Sequence, residues 1–233
     1  MMVLALREVM RRVQAGGYDL LLVGVGLSEV PATAARTLLR ERGVDVTLVM
    51  GHGFYDFEPF PGHSEPDPST TLVTTDSSEV YGVFLGGRVG RTLAILGTAQ
   101  VDRQGNLNST LVGGRLLTGS GGSNDAASTC DTVVVTRLAS DKLVEQVEYI
   151  TSPGTRVRAL VTERCVFEQD PASGRLVLAR YLPQPDRTRA QTLDEIRAAC
   201  GWALELSPAL EAVALPQAAE LALIRSLLPS RYD

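Results

Sequence analysis

The sequence is poor in cysteine and histidine, has no excess of positive charge and contains no long hydrophobic run. Its three cysteines, Cys130, Cys165 and Cys200, are odd in number and far apart, with no C-x-x-C spacing. Reduced thiols in a cytoplasmic protein fit that pattern, and a disulfide framework does not. With only His52 and His63 to add, a conventional zinc site lacks its donors, so no metal is expected. A net charge of −5 leaves no basic footprint for nucleic acid. Apolar runs such as Leu20–Val25 are too short for a bilayer, and no membrane association is expected. The opening MMVLALREVMRRV mixes charge into apolar residues and precedes no small-residue cleavage site. It reads as an amphipathic helix rather than a signal peptide.

What is present describes an ordinary globular chain able to bury a core: 44% hydrophobic and 21% charged over 233 residues. Leu4–Val13 has helical periodicity and stops at Gly16-Gly17. Asp19–Val25, Pro31–Arg42 and Val44–Met50 read as strand, helix and strand, a βαβ unit that implies a parallel sheet. Gly51–Pro68 is a Gly/Pro-rich loop of a length that usually carries function. Thr70–Thr74 reads as a short strand, and Asp76-Ser77-Ser78-Glu79 as a capping box opening a helix toward Gly86-Gly87. Thr92–Leu96 and Thr132–Thr136 are further buried strands. Arg156–Thr162, Cys165–Gln169 and Leu176–Tyr181 follow, with a hairpin turn at Pro171–Gly174. Thr192-Leu193-Asp194-Glu195 is read as the cap of one late helix, and Pro216 as the start of another through Leu228. The expectation is a single α/β domain over 1–233 with a mixed sheet and a mainly helical segment from about 188.

The densest signal is Gly119-Ser120-Gly121-Gly122-Ser123-Asn124-Asp125. Glycine permits φ > 0 and close approach of backbone to a ligand. Successive free N–H groups in such a turn form a nest for an anion or a polarised carbonyl oxygen. A flexible Gly/Ser linker is the plainer alternative.

Taken in order, several stretches resemble the β subunit of family I coenzyme A transferases, most closely the glutaconate type. Val23-Gly24-Val25-Gly26-Leu27 is similar to the family's first-strand glycine turn. Gly97 to Thr110, reading GTAQVDRQGNLNST, is similar to its G-A-Q-I-D-x-x-G-N-x-N-S-T segment, and the glycine loop to its G-S-G-G-A-N. Ile150-Thr151-Ser152-Pro153-Gly154 is similar to V-T-S-P-G. The resemblance runs from about residue 5 to 228, nearly the whole chain. It implies a three-layer α/β fold with an open, mainly parallel mixed sheet, and an α-subunit partner, commonly as α2β2, that shares the active site. It implies an acyl-CoA thioester as substrate, with no other cofactor. In that family a β-subunit carboxylate attacks the thioester and forms a glutamyl–CoA intermediate, which splits one hard exchange into easier steps.

The family's nucleophilic glutamate opens an E-S-G or E-N-G turn after the second strand. Here that tripeptide is Gly51-His52-Gly53, and glycine has no side chain to form a thioester. Relatives that have lost the glutamate include a ring-cleaving hydrolase and a decarboxylase, the latter with a cysteine near the nucleophile's position; no cysteine lies near Gly51. Transfer, hydrolysis or decarboxylation, and a non-catalytic structural role therefore stay open. His52 is a candidate general base or oxyanion donor, or an exposed loop residue. Asp56 and Glu58 are the nearest carboxylates, with Glu58 the catalytic candidate and turn capping the alternative. Glu29 sits near a strand's carboxyl end and equally suits a helix N-terminus. The candidate CoA-ester contacts are Gly24, Gly26, Gly51, Gly53, Gly119, Ser120, Gly121, Gly122 and Asn124. Asn106 and Asn108 match the family segment and suit turns. Cys130 reads as a small buried hydrophobe, and Arg156 and Arg158 either meet CoA phosphates or form a solvated face.

Overall fold

The computed structural model describes residues 1–24, 26, 28–58, 69–87 and 89–228. Val25 and Leu27 of the first glycine turn, His63, and residues 59–68 of the Gly51–Pro68 loop lie outside the described residues. Helix α1 (Met2–Gly16) ends at Gly17, whose φ of 68° places it in the left-handed region that favours glycine. β1 (Leu20–Val23), α2 (Glu29–Glu41) and β2 (Thr47–Met50) form the βαβ unit, with β1 and β2 parallel. β3 (Phe54–Tyr55) and β4 (Val73–Thr74) extend that edge antiparallel. A π-helical segment over Glu79–Leu85 leads to β5 (Thr92–Gly97), which pairs with the other side of β1.

Next come β6 (Gln100–Asp102) and β7 (Leu107–Asn108), then the hairpin of β8 (Leu111–Val112) and β9 (Arg115–Leu116). α3 (Ser123–Thr129) precedes β10 (Asp131–Val135), and β11 (Leu143–Val144) joins β6 and β7 in a small sheet. The chain closes with β12 (Val157–Val161), β13 (Cys165–Gln169), β14 (Leu176–Tyr181), α4 (Arg189–Ala199), β15 (Leu206–Ala212) and α5 (Ala218–Leu227). The main sheet has ten strands in the order β15-β14-β13-β12-β10-β5-β1-β2-β3-β4. Its centre, β2 through β12, is parallel, and antiparallel pairs flank it on both sides.

Alternate residues of the central strands feed two cores. Leu21, Val23, Leu48, Met50, Ile95 and Val133 pack with α1 and α2, joined by Ile224 of α5. Leu20, Leu22, Val49, Leu96 and Val134 pack on the other face with Ala126 and Ala127 of α3, Val80 and Ile196. Strands buried on both faces read as continuous apolar runs, which is why they were legible. The result is the expected three-layer α/β architecture with an open, mainly parallel mixed sheet.

One local reading changes. α4 is capped by Thr188, whose side chain accepts from the Gln191 amide in a capping box, four positions before Thr192. Thr192 is inside the helix and buried, its hydroxyl donating to the Thr188 carbonyl at 3.0 Å. The segment after residue 188 also contains β15, an edge strand parallel to β14 that tolerates Pro208 because an edge leaves one side unpaired. Arg156 and Arg158 both pair with Asp131, at 3.1 and 3.0 Å.

All three cysteines are free and buried. Burial pushes the Cys165 thiol up to about 12 and the Cys200 thiol up to about 11, and raises that of Cys130. Because the thiolate is the reactive form, the native chain at pH 8 is expected to react with Ellman's reagent far more slowly than the denatured chain. Rapid labelling of the folded protein would contradict this burial. Among the described residues no helix is long and apolar enough to cross a membrane.

Candidate functional site

The carboxyl ends of β1, β2 and β5 open onto a cavity of about 1120 Å³. This is where the strand order reverses: the chain leaves β1 toward β2 on one side and re-enters the sheet at β5 on the other. Open α/β sheets bind ligands in such crevices. Gly24 lines the cavity at the end of β1, Gly51 and His52 at the end of β2, and Gly97 and Thr98 at the end of β5. Tyr81 of the π-helical segment, the arm of the β8–β9 hairpin from Arg115 to Thr118, and Gly119–Ser123 complete the wall.

The glycine loop is held in a definite shape. Gly119 and Gly121 have φ of 85° and 51°, the region that disfavours a side chain. The Gly119 amide donates to the Ser109 carbonyl and the Ser123 amide to the Ser120 carbonyl, each at 2.9 Å. The Ser120, Gly121 and Gly122 amides have no hydrogen-bond partner among the described residues, and all three residues line the cavity. Behind the loop, Ser123 Oγ lies 3.1 Å from the Oγ of buried Ser152. Gly154 packs so tightly on the Gln104–Asn106 backbone that it has no room for a Cβ.

Tyr81 closes the gap between the β2 tip and the loop. A Cβ added at either Gly51 or Gly122 would overlap the Tyr81 hydroxyl end. The two glycines therefore accommodate one phenol from opposite sides. Burial, reinforced by the charge of Asp125, pushes the Tyr81 phenol above its ordinary value, so it is protonated at neutral pH. Asp125 is the only carboxylate lining the cavity among the described residues.

No protein-family model matches the sequence. The β-type chain of the 3-oxoadipate CoA-transferase of Pseudomonas knackmussii is 28% identical over 233 residues, covering 88% of this chain and 85% of its own. The crystal structure of glutaconate coenzyme A-transferase from Acidaminococcus fermentans superposes with a TM-score of 0.77 at 22% identity, over 96% of this chain and 92% of the other. The chain is thus similar, in sequence and in fold, to CoA-transferase subunits of the B type. The decarboxylase AibA/AibB shares the fold as well, with a TM-score of 0.73 at 21% identity over 100% of this chain and 96% of the other.

The cavity gathers Gly24, Gly51, Gly119, Ser120, Gly121 and Gly122 of the expected contacts, together with the catalytic candidate His52. His52 is exposed and stands edge-on to Phe54, with ring centroids 5.1 Å apart. Gly26, Gly53 and Asn124 are not among the lining residues. Gly53, at φ 103°, has no space for a side chain because the Thr75 backbone packs against it. Asn124 is exposed in α3, and its carbonyl accepts from Ser128 Oγ at 2.7 Å. Glu58 also lies outside the lining, drawn to Arg36 at 2.8 Å; Asp56 meets Arg40 at 2.7 Å. Arg36 is 1% exposed and also donates to the Phe57 carbonyl, so these carboxylates balance a buried cation on α2. Glu29 is buried in the first turn of α2 and is absent from the lining.

Asn106 and Asn108 turn out to build the scaffold under the loop. Asp102 accepts from the Asn106 amide at 2.9 Å, while Asn106 Oδ1 accepts from the Gly154 amide at 2.9 Å. Asn108 Oδ1 accepts from the Thr110 and Leu111 amides, both at 3.1 Å. Sequence reasoning missed Tyr81 and Asp125 as cavity residues. Tyr81 owes its place to two glycines some 70 positions apart in the chain, a relation with no local spacing signal, whereas Asp125 ends the glycine loop itself.

Proposed function

We propose that this chain is the β-type subunit of a heteromeric enzyme that binds an acyl-CoA thioester at the β1–β2–β5 cavity. An α-type subunit completes the site, in an α2β2 assembly. The observation that carries this reading is the row of unengaged amides at Ser120, Gly121 and Gly122 lining a large cavity at the strand tips. Such donors suit a thioester carbonyl whose oxygen gains negative charge during reaction. Coenzyme A enters as part of the substrate, and no further cofactor is invoked.

Within that function, the chemistry proceeds without a glutamyl–CoA intermediate on this chain. Gly51 stands in the place of the family's nucleophile, and Tyr81 fills the space where a side chain would project. Water or a group from the α subunit then supplies the attacking atom, as hydrolysis or carbon–carbon cleavage requires. Borohydride reduction of the α-partnered complex during turnover of acetyl-CoA or glutaryl-CoA tests this directly. The expected result is consumption of CoA ester with no reduced carboxylate in peptides of this chain. An acyl-CoA-dependent reduction at one of its Asp or Glu residues would restore the transfer reading.

A further inference from the structure

The Tyr81 hydroxyl stands where two independent elements meet: the tip of β2 at Gly51 and the loop at Gly122. Its ring is partly buried against the second core, beside the fully buried Val80, so the phenol is held in place from behind. Its hydroxyl end adjoins the loop position whose own amide, like those of Ser120 and Gly121, is unengaged among the described residues. Among the described residues, the other titratable side chains lining the cavity are His52, Arg115 and Asp125.

We propose that the Tyr81 hydroxyl donates a hydrogen bond to the carbonyl oxygen of the bound acyl-CoA thioester, forming with the loop amides a pocket for that oxygen as it becomes negative. This rests on the acyl-CoA reading above. The same donor serves addition of a nucleophile to the carbonyl carbon and loss of a group from the α-carbon, because negative charge collects on that oxygen in both. No proton changes hands; the phenol keeps its hydrogen throughout. A phenol is more acidic than a serine hydroxyl and so is the stronger donor, and it is fixed before the reaction begins. Losing one such donor typically lowers kcat by about 100- to 1,000-fold. It also explains why glycine is required at both positions: any side chain there would displace the donor.

The test uses the α-partnered complex and a non-reactive ketone analogue of acetyl-CoA, with methylene replacing sulfur and ¹³C at the carbonyl. Isothermal titration measures its binding, and infrared difference spectroscopy measures the bound carbonyl stretch. Wild type is expected to show a lowered stretch that moves up in Tyr81→Phe, with little change in Kd. An identical stretch in both proteins overturns the proposal and leaves the acyl-CoA reading standing. No binding of the analogue to wild type overturns both. Should Tyr81→Phe fail to assemble, ring-difluorinated tyrosine incorporated at position 81 decides the matter. The more acidic phenol lowers the stretch further if it is the donor, and an unmoved stretch rejects it.

Discussion

Replacing Gly122 by valine is expected to reduce acyl-CoA turnover by the α-partnered complex by about 100-fold or more, because displacements near 1 Å at a reacting centre have effects of that size. The valine Cβ would occupy the volume of the Tyr81 hydroxyl, and the ring must swing away. That movement removes the phenol and disturbs the loop amides together. Thiol release followed spectrophotometrically, with gel filtration to verify assembly, checks the result. Undiminished turnover in an assembled complex would take the loop out of the chemistry. The same geometry bears on a carboxylate introduced at position 51. Gly51→Glu alone meets the Tyr81 hydroxyl and is expected to gain no transferase activity. Only with Tyr81→Ala beside it does a glutamate at position 51 have room.

Replacing Glu8 by alanine is expected to destabilise the fold by about 3–5 kcal/mol, the usual effect of removing one partner from a buried ion cluster. Glu8 is 2% exposed on the inner face of α1 and faces three arginines. It lies 2.8 Å from Arg11 and 2.6 Å from Arg180, and it also pairs with Arg12. Glu168 of β13 shares the Arg180 guanidinium at 3.1 Å, so the cluster fastens α1 to the antiparallel flank of the sheet. Burial alone would raise the Glu8 carboxyl, but the Arg11 hydrogen bond and the charges of Arg12 and Arg180 outweigh it and hold the group below its ordinary range. A carboxyl lower in the folded than in the unfolded chain stabilises fully above the unfolded value and loses that contribution as pH falls through the folded one. The deficit of Glu8→Gln is therefore expected to shrink on acidification from pH 7 to below the ordinary carboxylate range. Urea unfolding across that span measures it, and a pH-independent deficit would refute the assignment.

The same physics separates what a linear reading of this chain reaches from what it does not. β1, β5, β10 and β12 were legible because both of their faces are buried, and α1 because Gly17 closes it at positive φ. The two-residue strands β7, β8 and β9 carry no periodic signal, and β15 is an exposed edge whose apolar alternation is broken by Pro208. The α4 cap was misplaced because Thr188-Arg189-Ala190-Gln191 lacks the acidic residue that made Thr192–Glu195 look like a start.

By itself the sequence determined the layered α/β sheet and the glycine loop, because these depend on local composition and periodicity. Tertiary structure alone decided which residues share the cavity. It turned Glu58 toward Arg36 to balance a buried guanidinium and engaged Asn106 and Asn108 in the scaffold. It also brought Tyr81 between Gly51 and Gly122, since only packing across elements distant in the chain can fill the space that two glycines leave empty.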